Sequence, residues 1–483
     1  MKQILTSLLA LYLLGVAEAQ PITTSSPNSA TLTLEQCITL AIENQPSLRQ
    51  SVLLQQVADN TVQQTRRSQL PTLSGYSNQG INFGRNVDPY TNSITNAQIT
   101  TNSAGLGMSW TVFNGFQLKN TLVQQSLTAQ ASQFDVAATK NSIILNTLLA
   151  YLQVLSAQDL LTASDVQMAV AQAQVDRTEK LVKSGTTAPF NLYDAKSQLA
   201  NDQMQRVQAQ TNLNTAMLSL LQVLNLPATT QLQLVRLSAI NTTQSEATDA
   251  YQVYSQARTF MPEILAAELR TKVAQKGLDL AKGLAYPSVT LSAGWGTSYS
   301  SAARRSVYSN DMVEQTTTGF VDVAGQSYPV KVLVSAASAE RINYFHQLDN
   351  NQNKSVSLSV RIPILNGFQV RYRTTNARLQ QQLAESQAES VRRNLRQVID
   401  QAVNQQQNTH ERYHSLEQQV SVLTQSYKAA EARYNAGLLN AVDYNLAKSN
   451  LDRASVNLIQ LRYESVLREK IVNVSLWGKI PRL

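Results

Sequence analysis

Two histidines and a glutamate stand in the pattern that zinc hydrolases use. His410-Glu411-Arg412-Tyr413-His414 reads H-E-x-x-H. On a helix that spacing puts both imidazoles on one face to hold a metal, with the glutamate beside them as general base. The chemistry also needs a further ligand and a sheltered helix. The only other histidine is His346, on an inserted segment upstream, and Arg412 puts a charge where a buried active-site helix carries an apolar side chain. The chain is internally duplicated, and the repeat equivalents of the motif are Gln158, Asp159 and Thr162, which form no such donor set. The expectation is a polar face of a long helix, with no catalytic, cofactor-binding or metal site and no enzyme activity.

The other candidates lie beside two glycines. Asn191 and Asp194 follow Gly185 by six and nine residues, and Asp443 follows Gly437 by six, with Leu446 at the ninth place. A carboxylate in the first turn of a helix is favoured by the helix dipole, which is the plainest account of either acid.

These residues hang on a repeated frame. Asn114-Gly115-Phe116-Gln117 returns unchanged as Asn366-Gly367-Phe368-Gln369. Before the first copy, Ala104, Leu106, Met108, Trp110 and Val112 alternate with Ser103, Gly105, Gly107, Ser109 and Thr111. Before the second, Val356, Leu358, Val360, Ile362 and Ile364 alternate with Ser355, Ser357, Ser359, Arg361 and Pro363. A period of two marks a strand with one apolar and one polar face. A long proline-free run rich in Ala, Gln, Leu and Asn follows each copy. Asn-Gly usually makes a hairpin turn, but here Asn114, Gly115, Asn366 and Gly367 are read as corners where a strand hands over to a helix.

The whole chain is duplicated. Gly115 and Gly367 are 367 − 115 = 252 apart, as are Gly185 and Gly437, and Lys196 and Lys448. Upstream the offset is 262 − 46 = 216 for Pro46 and Pro262, and the same for Pro71 and Pro287. The second half therefore carries a 36-residue insertion between Pro287 and Gly367. Each half reads helix, strand, strand, long helix, glycine-bearing tip, helix. The expected divisions are a signal peptide at 1–19, a first repeat at 20–227, a link at 228–245 and a second repeat at 246–483. The first repeat holds a β-hairpin at 72–113 and a helical hairpin with its tip near 185. The second holds a β-hairpin at 288–365 with an inserted loop at 300–353, read as an extra hairpin or a long outside loop, and a tip near 437. The opening helix is expected to run from a Thr33/Gln36 capping box to about Leu70, and its counterpart to about Ala285. The helix after Gly115 should reach about Val182, roughly 100 Å at about 1.5 Å per residue.

Of 483 residues, 43% are hydrophobic and only 15% charged, and the formal net charge is +8. The basic residues are scattered along the helices and form no run of five or more, so nucleic acid is not expected as a partner. Met1-Lys2, an apolar stretch from Ile4 to Val16, and Ala17-Glu18-Ala19 read as a secretory signal peptide cleaved before Gln20. No later stretch reaches about 18 unbroken apolar residues. The one cysteine, Cys37, can form no intrachain disulfide.

Strands whose apolar face carries Leu106, Met108, Trp110, Leu291, Trp295, Leu358, Val360 and Ile362, and whose other face is Ser, Thr and Gly, suit a barrel wall in lipid. Four strands cannot close a barrel, which needs about eight or more, and lipid tolerates no open edge. Several chains must then share one barrel, with their helical hairpins continuing it as a tube.

In its duplicated order, its Leu-Pro and Tyr-Pro strand entries, its Phe-Asn-Gly and Leu-Asn-Gly corners and its Gly-x5-Asp/Asn tips, nearly the whole mature chain resembles the TolC-type outer-membrane efflux channels. The resemblance implies an α+β membrane protein. Each chain of a homotrimer gives four transmembrane strands to a twelve-stranded barrel in outer-membrane lipid, and an α-helical tunnel crosses the periplasm. It implies an exit duct for small molecules or proteins, docked on a periplasmic adaptor and an inner-membrane pump of RND, ABC or MFS type. It also implies a tip made by Gly185, Asn191, Asp194, Gly437, Leu438 and Asp443. Family members carry acids six and nine residues after the second glycine; Asp443 matches the first and Leu446 departs from the second. Three Asp443 carboxylates would ring the mouth, with Arg433 or Lys448 as partner. The alternative from a different class is a periplasmic coiled-coil adaptor or structural protein.

Overall fold

The computed structural model describes residues 31–87, 92, 94–96, 98–236 and 249–477. The signal peptide, residues 20–30 and positions 237–245 of the link lie outside the described residues. In chain order the elements are β1 (Thr31–Leu32), α1 (Leu34–Asn44), α2 (Pro46–Arg67), β2 (Thr72–Asn82), β3 (Arg85–Val87), β4 (Ile94–Asn96) and β5 (Ile99–Asn114). Then come α3 (Gln117–Lys183), α4 (Pro189–Val223), β6 (Gln233–Leu234), α5 (Ala250–Phe260), α6 (Pro262–Gly283), β7 (Ser288–Ser300), β8 (Arg304–Val323) and β9 (Gln326–Arg341). The last are α7 (Tyr344–Asn350), β10 (Asn353–Arg361), α8 (Gln369–Asn435) and α9 (Ala441–Trp477).

Two expected helices are each broken in two. Gln45 and Met261 are extended, with φ/ψ of −72°/117° and −63°/121°. Each precedes a proline, which disfavours the helical region for the residue before it and supplies no N–H of its own. Strand four also stops short of its expected end. β10 finishes at Arg361, so Ile362, placed on the lipid face from its alternation, lies outside the strand, again directly before a proline, Pro363.

The chain forms two compact units. One gathers the described residues up to Ser51, Val136–Met261 and those from Arg393 on; the other gathers Val52–Asp135 and Pro262–Arg392. In the first unit Leu34, Cys37 and Ala41 of α1 pack against Leu148, Tyr151, Leu152 and Leu155 of α3, Leu220 of α4 and Val466 of α9. The Thr33/Gln36 capping box starts α1. Tyr151 is almost wholly buried and donates its hydroxyl to the Val235 carbonyl at 2.6 Å, and burial pushes its pKa up to about 12. Part of α3 is long and apolar enough by composition to cross a membrane. Its leucines are instead the core of this unit.

The second unit holds an antiparallel sheet in the order β10-β7-β5-β2. Leu106 stands opposite Trp295, Met108 opposite Ala293, Trp110 opposite Leu291, and Leu358 and Val360 opposite Leu291 and Val289. Opposite residues share a face, so the sheet has one apolar side. Its other side is built of rows such as Ser109, Ser292 and Ser357. Tyr76 also lies there, its ring over Gly105, where an added Cβ would come within 2.8 Å of the hydroxyl, and Ile99 stands on the same side at the far end of β5. The apolar side is open to solvent in the single chain, with Leu358 65% and Val360 55% exposed. Trp110 lies toward the end of β5 that meets α3, Trp295 toward the far end of β7.

Both tetrapeptides adopt the same corner. Gly115 and Phe116 have φ of 63° and 61°, Gly367 and Phe368 59° and 60°. Two consecutive left-handed residues reverse the chain direction, and only glycine takes that backbone at no steric cost. Asn114 Oδ1 accepts the Leu118 N–H at 3.1 Å, filling a donor at the new helix start.

Candidate functional site at the helical tips

Each helical hairpin turns through a left-handed glycine. At the first tip the Thr186 N–H donates to the Leu181 carbonyl at 2.9 Å, with Gly185 at φ 75°. At the second the Leu438 N–H donates to the Arg433 carbonyl at 2.8 Å, with Gly437 at φ 74°. This is the six-to-one bond of a Schellman cap, and Pro189 then opens α4 at a position where its missing N–H costs nothing. Asn440 Oδ1 accepts the Asp443 N–H at 2.8 Å. The cap of α9 is therefore Asn440, and Asp443 is an exposed acid within the first turn, where the dipole favours it.

The hydrogen bonds and ring contacts that join the two hairpins near their tips come from residues that the sequence did not single out, while Asn191 and Asp194 lie beside them. Gln174 donates to the Tyr434 hydroxyl at 3.0 Å, and the Arg177 guanidinium bonds the Asn435 side chain. Tyr434 stacks on Tyr444 with centroids 4.7 Å apart, and the Tyr444 and Tyr427 hydroxyls are 3.0 Å apart. Burial raises the pKa of both Tyr427 and Tyr444. Asn191, Asp194, Tyr434 and Tyr444 border a water-sized cavity of about 20 Å³, with Lys448 at its wall. Asn191 donates to Thr187 Oγ1 at 2.7 Å. Leu438 is exposed, as are Val442 and Leu446, in the first and second turns of α9.

Lys448 is not a partner of Asp443. It is buried between α4 and α9, with Nζ 2.8 Å from Asp202 and 3.1 Å from Asp452. Asp202 in turn accepts from Gln198 Nε2 at 2.8 Å. Burial acts to lower the Lys448 pKa, but the two carboxylates outweigh it and hold the pKa above its ordinary value. Burial raises Asp452 against the pull of the ammonium. Among the described residues no ion pair joins Asp443 to Arg433. Tyr427 and Tyr434 are one heptad apart, a spacing that sequence alone could have flagged as one face. The Lys448–Asp202 pair spans 246 residues and has no local signal.

The H-E-x-x-H residues lie on α8. The His410 and His414 rings meet edge to face at 4.6 Å, Glu411 is exposed, and His414 Nδ1 is 3.7 Å from Glu417. Among the described residues no group of three or more His, Cys, Asp or Glu is placed to hold a metal.

An open sheet with one lipid-compatible face, joined at sharp corners to paired helical hairpins, defines a channel subunit of the kind that builds a barrel from several chains. The sequence matches the outer membrane efflux protein family over residues 37–226 and 253–470, and the chain belongs to that family. The outer membrane protein TolC of Vibrio cholerae is 22% identical over 430 residues, covering 88% of this chain and 86% of that protein. TolC of Escherichia coli is 24% identical over 433 residues, covering 88% and 78%. The CmeC outer membrane channel of Campylobacter jejuni has a TM-score of 0.75 at 15% identity, covering 95% of this chain and 90% of that one. The protein is an outer-membrane efflux channel that extends into the periplasm.

Proposed function

We propose that three copies close a twelve-stranded barrel and form the passive exit duct of a tripartite system. The duct takes small molecules or proteins from a periplasmic adaptor and an inner-membrane pump of the RND, ABC or MFS type. The observation that carries this reading is the sheet order β10-β7-β5-β2, whose two outer strands each leave one edge without a strand partner among the described residues of one chain. An apolar sheet with two open edges is stable in lipid only if another chain pairs with each edge. Light scattering of the detergent-purified protein is expected to give a trimer that conducts ions in planar bilayers. A monodisperse monomer that keeps its strand content would overturn the reading.

Asp443 is assigned the rim of the periplasmic mouth, where threefold symmetry gathers three carboxylates. Its exposed place at the start of α9 supports this. Asp443→Ala should lower cation preference and weaken block by divalent cations in bilayers, and Asn191→Ala should do less, having no charge to lose. Unchanged selectivity and block in normally inserting Asp443→Ala trimers would leave Asp443 as a helix-start residue only.

A further inference from the structure

The apolar side of the sheet ends before its strands do. Leu106 stands opposite Trp295 on that side, with Lys354 of β10 opposite Trp295 in turn. The next rows outward on the same side are Ala104 with Thr297, then Asn102 with Tyr299. A tryptophan beside a lysine, with polar rows beyond, is the pattern of a wall that leaves hydrocarbon for headgroups. These rows lie at the strand ends remote from the corners at Gly115 and Gly367, where the long helices begin.

The inserted segment lays a helix over this border. Thr297 Oγ1 donates to the Leu348 carbonyl at 2.5 Å. The Tyr344 ring packs on Tyr299 with centroids 4.7 Å apart, and its hydroxyl donates to Asn102 Oδ1 at 3.3 Å. Just past the helix, Gln352 Oε1 accepts the Trp295 indole N–H at 3.4 Å. Trp295, Thr297, Tyr299 and Asn102 all face the apolar side, so α7 sits on that side of the wall and not over the mouth. Its position is fixed. Gln347, 1% exposed, accepts the Ser300 N–H at 2.9 Å and donates to the Ser300 and Ile342 carbonyls, each at 3.0 Å. Asn351 donates to the Ser298 carbonyl at 2.7 Å.

What α7 presents outward suits a lipid surface. Phe345, its ring 5.4 Å from that of Tyr344, is 76% exposed. Three residues before the helix, Arg341 stands directly opposite Arg304 at the root of the β8–β9 ribbon. Like charges directly opposite weaken a strand pair, and neither arginine is in an ion pair among the described residues, whereas the adjacent Arg305 and Glu340 neutralise each other at 2.8 Å. The acid of α7, Asp349, is held by Gln352 at 3.3 Å.

We propose that α7 is an interfacial anchor, seated in the headgroup layer of the outer leaflet, an anionic and phosphate-bearing lipid surface. Phe345 enters the boundary between headgroups and chains, as the apolar face of an interfacial helix does. Arg304, Arg341 and Lys354 take phosphates, and the anchor sets the depth of the barrel. Two observations select lipid as the occupant. The helix is continuous with the sheet side assigned to the bilayer, and its surroundings offer cations that lack an anion. The proposal rests on the barrel reading above and its assignment of faces.

Nitroxide labels on cysteine variants of the full-length protein test this by electron paramagnetic resonance. Oxygen and a water-soluble nickel chelate, present on both sides of the membrane, serve as collision partners. The vesicles are phosphatidylethanolamine with lipopolysaccharide. Cys37 is wholly buried, with its thiol pKa pushed up to about 11, and stays unlabelled. Val360→Cys reports the lipid belt and Leu438→Cys, at the exposed helical tip, reports water. The label at Phe345→Cys is expected to meet nickel several-fold less than at 438 and oxygen more, between the two references. Nickel access at 345 equal to that at 438, with 360 shielded, would overturn the anchor and leave the barrel standing. Equal nickel access at 360 and 438 would overturn the assignment of the lipid face and the anchor with it. Arg304→Gln/Arg341→Gln should raise nickel access at 345 in the same vesicles. Unchanged access would overturn the anionic layer as the occupant.

Discussion

At the scale of single residues, the tip is held by a charge that sequence reasoning had given another task. Lys448 is the repeat mate of Lys196, yet Lys196 is exposed and Lys448 is buried against Asp202 and Asp452. Replacing the ammonium with a thioether strands two carboxylates in a dry place. Lys448→Met should therefore cost about 3–5 kcal/mol, the usual consequence of removing one partner from a buried pair. The pH dependence follows from the raised pKa. A lysine whose folded pKa exceeds its unfolded value of 10.5 contributes in full below that value, and the contribution is lost as pH rises through the folded pKa. Thermal melts followed by circular dichroism should lose stability above about pH 10.5 in the wild type. The same limb should flatten in Lys448→Met, and identical alkaline profiles would mean that the pair does not stabilise the fold.

At the scale of elements, alternation proved the most informative pattern. The strands before each tetrapeptide were legible because the period of two persists over nine or more residues, and β2 pairs with β5 from Thr72–Ser109 to Asn82–Ile99. Helix interruptions at Gln45 and Met261 were less legible, because a proline's effect on its predecessor competes with strong helical periodicity on both sides. The tip contacts were not legible at all, since Gln174–Tyr434 and Lys448–Asp202 join segments far apart in the chain. The two faces of β5 can be tested directly. Trp110→Asp puts a charge on the apolar side and should reduce insertion in a depth-dependent way, whereas Ser109→Asp, on the polar side, should be tolerated. Outer-membrane fractionation that recovers both variants equally would reverse the assignment of the faces.

At the scale of the molecule, the duplication leaves one repeat packed and its equivalent waiting. Gly115 lies against the last residue of α6: a Cβ on it would come within 2.2 Å of the Gly283 carbonyl oxygen. Gly367 has the same left-handed backbone but nothing within 4 Å. The upstream offset puts Arg67, at the end of α2, where the second repeat has Gly283, since 283 − 216 = 67. If the repeats alternate around a closed ring, the corner at Gly367 packs on the end of α2 from the next chain at a wider separation than the corner at Gly115 keeps from α6, because a Cβ on Gly283 would come within 2.6 Å of the Gly115 carbonyl oxygen and Arg67 carries one. Gly115→Ala then damages the single chain by clash and by about 1 kcal/mol of left-handed strain. Gly367→Ala adds only the strain to the single chain and meets its clash on assembly. Expression trials should show Gly115→Ala failing to give folded protein, and Gly367→Ala giving folded monomers with a several-fold loss of trimer on native gels. Full trimer yield from Gly367→Ala would show that this corner stays open to solvent, and that the seam between chains does not repeat the packing within them.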